Sequence, residues 1–461
     1  MKIKILFMVI LAIVLASCAP ASISTPTKVP IPTATITLTP VSPTPTVTLI
    51  PALELLPETQ KSVNLFVNAM QNAGVSITTE QILQQGLTVN SISGNDGETY
   101  EVATVNIDPN PNVQGEALEG NYPLMIKMGN DWEKATLKNM GNLIGFEFGA
   151  EGIARRIKQV QGYAEPLGEN YNLIMTEGEI NLKVVSEEKE RYDFNKAYTI
   201  IEFAKKYDLI IQNHHLVPDE ARHYPEWMQE NNIPKEELQS LLTEYIADTM
   251  NLFKGQRTQW TVVNESFETK NNPWYWAFGD GYIEKAFELA RNADSKAILI
   301  YNDYDIEISA TKREQVYKLV SGLADKNLID GVGMQMHLDG RKPPNKEQVV
   351  ESMKRFEDLG ISIYITEFDV DMTNVQGTNE EKLVEQATIY KDMLSACLES
   401  NIFKSFTTFG FSDSVSMYGD NNSKEALAAM PLPFDSDFYP KISYYTMLQA
   451  VFENYTTSAQ P

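Results

Sequence analysis

WTVVNESFE, residues 260–268, decides the fold. Trp260 to Val263 form a short run of β-prone, mostly apolar residues, the composition of a strand covered on both faces. The run stops at Asn264 and Glu265, an amide and a carboxylate placed where the strand should end. ISIYITEFDV, residues 361–370, repeats the design, with Glu367 and Asp369 at its end. One glutamate at a strand terminus reads most simply as a solvated side chain. Two such endings on similar strands point instead to a shared cleft.

Outward from these two stretches the chain alternates. Strands are expected at 143–149, 172–179, 208–215, 260–265, 296–303, 330–337, 361–367 and 403–410, with helical patterns such as YDFNKAYTIIEFAKKY (192–207) and GYIEKAFELARNA (281–293) between them. Strand and helix in alternation define the α/β class with a parallel sheet, and eight such units from about Trp132 onward suit a (β/α)8 TIM barrel. An open doubly wound sheet would want a glycine-rich phosphate loop after an early strand, and the sequence has none. The strand ends carry Glu177 and Glu179, His214 and His215, Asn264 and Glu265, Asn302 to Tyr304, Gln335 and His337, Glu367, and Phe409. In a barrel these converge on one face. Two facing carboxylates among amides and imidazoles suit glycosidic bond cleavage, one acid staying protonated and the other ionised.

Composition narrows the partners. The 461 residues carry a net charge of −24, which disfavours nucleic acid and leaves a neutral substrate. Lys2 and Lys4 precede the apolar run ILFMVILAIVLA, and Leu15-Ala16-Ser17-Cys18 resembles a bacterial lipobox. Residues 1–18 are therefore expected to be a lipoprotein signal with Cys18 acylated, giving an exported protein held at the membrane by its lipid alone; ordinary secretion is the alternative. Residues 19–52, rich in Pro and Thr, read as a disordered stalk. Apart from Cys18 the only cysteine is Cys397, so no disulfide is expected. Residues 53–125 read as a small accessory α+β unit, either a structural collar or a glycan-binding module, and 126–461 as the barrel.

The segments VVNESFE, GDGYIEKAFELARNADSKAILIYNDYDIE, GVGMQMHL, YITEFDV and PLPFDSDFYPKISYY together resemble glycoside hydrolase family 10, the endo-1,4-β-xylanases. The resemblance runs from about Trp132 to about Phe452. It implies a retaining double displacement with Glu265 as general acid/base and Glu367 as nucleophile. Asn264 would bind the sugar 2-hydroxyl, and His337 with Gln335 would support the nucleophile, in one network with Asp369. Glu177, His214, Tyr304 and Phe409 would bind sugar. No cofactor or metal is implied, and the protein would act as a monomer on a polysaccharide or oligosaccharide. A non-catalytic glycan-binding protein on the same scaffold, or an enzyme for a different sugar, are the rival readings.

The departures from the family pattern are specific. Asn181 and Leu182 stand where the family has Lys-Trp, and Pro218-Asp219 where it has Trp-His. Phe409 and Met417 stand where tryptophans are expected. Because tryptophan faces pack on sugars, these changes should reshape the site. His223 could replace the missing histidine if that loop is realigned. The histidines at 214, 215 and 223 raise the question of zinc, but neighbouring side chains on a strand point to opposite faces, so 214 and 215 are not expected to share a metal. Trp274 to Trp276 read as a cover over the barrel or as a sugar platform.

Overall fold

The computed structural model describes residues 56–107, 118–189, 191–218, 220–229, 232–267, 270–420 and 423–456. Four antiparallel strands come first: β1 (Thr88–Ser93), β2 (Thr99–Ile107), β3 (Gly120–Met128) and β4 (Asp131–Lys134). The barrel strands follow: β5 (Glu147–Gly152), β6 (Leu173–Thr176), β7 (Ile210–Val217), β8 (Thr258–Asn264), β9 (Ile298–Asp303) and β10 (Gly331–Met334). A short β11 (His337–Asp339), β12 (Ser362–Asp371) and β13 (Phe403–Thr408) complete the set. β5 to β10 lie side by side in parallel, β13 joins β5 to β12, and β10 pairs with β12, Gly331 opposite Ser362. The ring therefore closes as a (β/α)8 barrel. Its strands are buried on both faces, as their near-continuous Val, Ile, Leu and aromatic content requires.

The first barrel strand starts later than its sequence suggests. Residues 143 and 144 end the helix Leu137–Ile144, not a strand. Thr136 caps that helix reciprocally with Asn139, and Gly145 ends it at φ 71, a left-handed position that favours glycine. The strand opens only at Glu147. The boundary expected at 125 falls inside β3, and the antiparallel sheet runs on to Lys134.

The N-terminal elements pack on the outside of the barrel's last helix, Ile442–Tyr455, every residue of which is buried from Ile442 to Phe452. Phe66, from the helix Pro57–Asn72, meets Tyr122 of β3 and Tyr445 of the last helix, each at 5.1 Å between ring centres. Gln449 donates to the Glu119 carbonyl at 2.7 Å. Trp274 is fully buried and packs edge-on to Tyr224, so it closes the barrel wall, not a sugar platform. The signal, Cys18 and the stalk lie outside the described residues, and among those described no helix is long and apolar enough to cross a membrane.

Candidate active site

The upper ends of β8, β9, β10 and β12 hold the cluster. Their ladders are irregular there: the register slips between Thr261 and Val263, and between Ile365 and Phe368. Such slips re-aim side chains that strict alternation would send to opposite faces. Glu265 has φ 54, Asp305 φ 58 and Met336 φ 59. Left-handed backbone in three non-glycine residues just past the ends of β8, β9 and β10 concentrates strain at one face of the barrel. The Glu265 amide is held by donating to the Asn302 carbonyl at 3.0 Å.

Within this frame the side chains form one chain of hydrogen bonds. Gln335 Nε2 donates to Glu265 Oε1 at 2.6 Å and lies 3.5 Å from Asn264 Oδ1. Asn302 Nδ2 donates at 2.7 Å both to Asn264 Oδ1 and to Glu367 Oε1. Thr366 Oγ1 donates to Asn302 Oδ1 at 2.7 Å, which fixes the orientation of that amide. A Cβ on Gly333 would sit 2.2 Å from Asn302 Oδ1, so only glycine at 333 leaves room for it. On the other side of Glu367, His337 Nε2 lies 3.3 Å from Oε2, and His337 Nδ1 lies 3.0 Å from Asp369 Oδ2. Tyr418 donates to Asp369 Oδ1 at 3.2 Å. His214 Nε2 approaches Glu367 Oε1 at 3.6 Å.

The electrostatics separate the partners. Burial pushes Glu367 up, but the histidines' field and the hydrogen bonds from His337 and Asn302 outweigh it, and the carboxyl lies below its ordinary range. Burial opposes charge on His337, yet Asp369 and Glu367 raise it to about 11, so its ring is a cation at neutral pH. Burial lowers His214, against the opposing pull of the Glu367 carboxylate. His337 is thus a cation held beside Glu367, acting with the field of His214 and the Asn302 bond to keep that carboxyl ionised. Burial raises Asp369 despite its partners.

The remaining expected residues lie around this cluster. Phe409 packs edge-on to the His337 ring at 5.3 Å. Tyr304 has the Lys312 ammonium 3.8 Å from its ring centre, and Lys312 is tied to Asp303 at 2.8 Å. Glu177 is exposed and borders a separate hollow. Glu179 is buried, its oxygens accepting from the Ala154 and Glu177 amides at 2.7 and 2.8 Å. It clamps the β5 loop to the β6 loop. Asn181 Oδ1 accepts from the His215 amide, and Leu182 is buried, so neither takes the place of the absent Lys-Trp pair. Met417 is 55% exposed. His214 and His215 pack edge-on at 4.5 Å instead of facing opposite ways, and the ladder to β8 is irregular between His214 and Val217. His223, in the short helix Ala221–His223, acts electrostatically on His215. Among the described residues no group of three His, Cys, Asp or Glu is arranged to hold a metal.

Sequence reasoning places Asn302 among the strand ends without choosing it, and passes over Thr366 and Tyr418. Asn302 could have been found: it is the first polar residue after the buried run ILIY on β9. Thr366 and Tyr418 carry no comparable signal, because threonine is common in strands and Tyr418 lies in the hairpin formed by Val415–Ser416 and Gly419–Asp420.

A (β/α)8 barrel with two glutamates in one amide–imidazole network at its strand ends defines a glycoside hydrolase. The chain belongs to glycosyl hydrolase family 10, whose family model matches residues 135–450. It is 32% identical to endo-1,4-beta-xylanase B of Thermotoga neapolitana over 302 residues, covering 64% of this chain and 85% of that protein. It is 31% identical to a beta-1,4-xylanase of Dictyoglomus thermophilum over 315 residues, covering 65% and 87%. Among solved structures, native xylanase 10B of Thermotoga maritima superposes with a TM-score of 0.63 at 31% identity, covering 69% of this chain and 98% of that one. Xylanase 10B of Thermotoga petrophila in complex with xylobiose gives 0.64 at 30% identity, covering 70% and 98%.

Proposed function

We propose that the protein hydrolyses β-1,4-linked xylan or a related plant polysaccharide with retention, Glu367 acting as nucleophile and Glu265 as general acid/base. The observation that carries this is the network joining the two carboxylates while giving them unlike surroundings. Glu367 is held ionised by His337 and Asn302. Glu265 is met at Oε1 by a neutral amide, Gln335, and not by a cation there.

In the first step a Glu367 oxygen bonds to the anomeric carbon, the glycosidic bond breaks, and the Glu265 proton passes to the departing oxygen. In the second, Glu265 takes a proton from water, whose oxygen displaces Glu367 and regenerates the enzyme. The Asn264 carbonyl is occupied by Asn302, so its amide N–H groups are those offered to the sugar 2-hydroxyl. His214, Tyr304, Phe409 and Glu177 would line the sugar path. The relatives named above, called xylanases, support xylan as the substrate.

Glu265→Ala should cut turnover of xylan by about 10²–10⁴-fold, the worth of a positioned acid/base. Added azide should rescue it on activated aryl glycosides, giving the β-glycosyl azide. Glu367→Ala should abolish turnover. Equal activity in wild type and both variants would reject the assignment.

For location, the N-terminal sequence supports export and anchoring through acylated Cys18, with residues 19–52 as the stalk; the protein would act there, at the cell surface, as a monomer. Cys18→Ser should move the protein from the membrane fraction to the soluble one. An unchanged distribution would rule out the anchor.

A further inference from the structure

On the flank of the barrel, between the N-terminal elements and the segments that lead into β5, β6 and β7, lies a hollow of about 830 Å³. A second hollow of about 490 Å³ adjoins it, the two sharing Gly162, Glu165, Glu169 and Tyr207. The first alone is near the top of the roughly 300–1,000 Å³ range of small-ligand pockets. Together they form a groove suited to an extended ligand. Its walls draw on residues 136–142, 168–170 and Tyr207, which precede their strands. The cleavage cluster stands at the finishing ends of the strands, and none of its residues lines the groove.

Charges of both signs line the groove in equal number. Glu58, Glu133, Glu165 and Glu169 are matched by Lys61, Lys134, Lys138 and Lys206. Such walls favour neither an anion nor a cation. They set acceptors beside donors, the arrangement that a neutral polyhydroxyl chain can use. Lys134 is half-buried, and among the described residues its ammonium makes one hydrogen bond, to Asn170 Oδ1 at 3.4 Å. An ammonium can donate three. Burial pulls this one down to about 8. Tyr439 adds an open aromatic face, 56% exposed. Its backbone is fixed: the Tyr439 amide donates to Asp435 Oδ1 and the Asp435 amide to the Tyr439 carbonyl, both at 2.9 Å. The neighbouring Phe438 stacks on Phe411 at 5.7 Å.

We infer that this groove is a second, non-catalytic binding site for the neutral β-1,4-linked glycan, with Tyr439 against one sugar ring and Lys134, Glu165 and Glu169 on the hydroxyls. The ligand class rests on the hydrolytic reading given above. An aromatic face packs on the C–H surface of a sugar, and carboxylates and an ammonium complete the hydrogen bonds of its edge. Two sites on one chain keep a polymer at the enzyme between cleavages, because the second contact is made at high local concentration.

The test uses the full-length Glu367→Ala protein, so that sugar is bound without being cut, and linear xylotetraose. Calorimetry should find two sites per chain. Adding Tyr439→Ala should weaken one of them about fivefold, the scale of one aromatic contact. Adding Glu165→Gln with Glu169→Gln should weaken the same one. All three side chains are exposed, so these changes leave the fold in place. Reductive methylation then locates the site: xylotetraose should slow the labelling of Lys134, read by mass spectrometry, and Tyr439→Ala should reduce that protection. Lys134 labelled equally with and without sugar, and no site weakened by Tyr439→Ala, overturns the groove whatever the turnover of xylan by the wild type. A single site that Tyr439→Ala weakens, in a protein whose wild type leaves xylan uncut, upholds the groove and overturns the hydrolytic reading instead.

Discussion

At Asn302 one amide nitrogen serves two partners, the carbonyl that orients Asn264 and the carboxylate of Glu367. A hydrogen bond to a charged, buried group is worth roughly 1.5–3 kcal/mol. Asn302→Ala should therefore lower kcat/KM by about one to two orders of magnitude, measured on a neutral xylo-oligosaccharide, with Glu265 and Glu367 both in place. A change smaller than twofold would remove Asn302 from the site. His337 invites a pH measurement. Its cation opposes the burial that pushes Glu367 up. In His337→Ala the burial remains and the cation goes, so the Glu367 carboxyl rises. Activity that needs it ionised is then lost sooner as pH falls. The acid limb of the kcat/KM profile should move to higher pH; an unmoved limb would mean that His337 does not hold the charge on Glu367.

At the scale of elements, the site depends on how strand ends are tied to one another. Glu179 links the loops after β5 and β6 through two buried hydrogen bonds to amides. Glu179→Ala leaves both amides without that acceptor, at about 1–3 kcal/mol for each group left unsatisfied. The urea midpoint should fall accordingly, and a midpoint equal to wild type would contradict the clamp. Much of this level is legible in the sequence. Unbroken apolar runs ending in Asn264-Glu265 and Glu367 mark the barrel strands and the end that carries chemistry, because a polar residue inside a buried strand needs a purpose. What stays hidden depends on register. The slips between Thr261 and Val263, between His214 and Val217, and between Ile365 and Phe368 break the alternation from which side-chain direction is read. The reach of both Thr366 and Glu367 to Asn302 follows from the last of those slips. Likewise residues 143–145 look like strand until the reciprocal cap at Thr136 and the left-handed Gly145 are seen to bound a helix.

For the whole molecule, the family match begins at residue 135, after the antiparallel sheet. The sheet and the helix Pro57–Asn72 cover the barrel's last helix, where Tyr445 and Phe66 meet and Gln449 reaches the Glu119 carbonyl. This packing supports a collar. A chain restricted to residues 135–461 should unfold at lower urea than the full chain, or aggregate, because the face of Ile442–Tyr455 now turned to β3 would meet water. An unchanged midpoint would mean that the N-terminal elements add nothing to barrel stability. The net charge of −24 places no bar on a neutral glycan.

The central claim is that Glu367 bonds to the sugar. A 2-deoxy-2-fluoro xylobioside with an activated leaving group slows the second step and should leave its glycosyl unit attached to the protein. Digestion and mass spectrometry should find that mass on the peptide containing Glu367, and on no peptide of the Glu367→Ala protein. Attachment to a different residue, or continued hydrolysis of xylan by Glu367→Ala, would contradict the account.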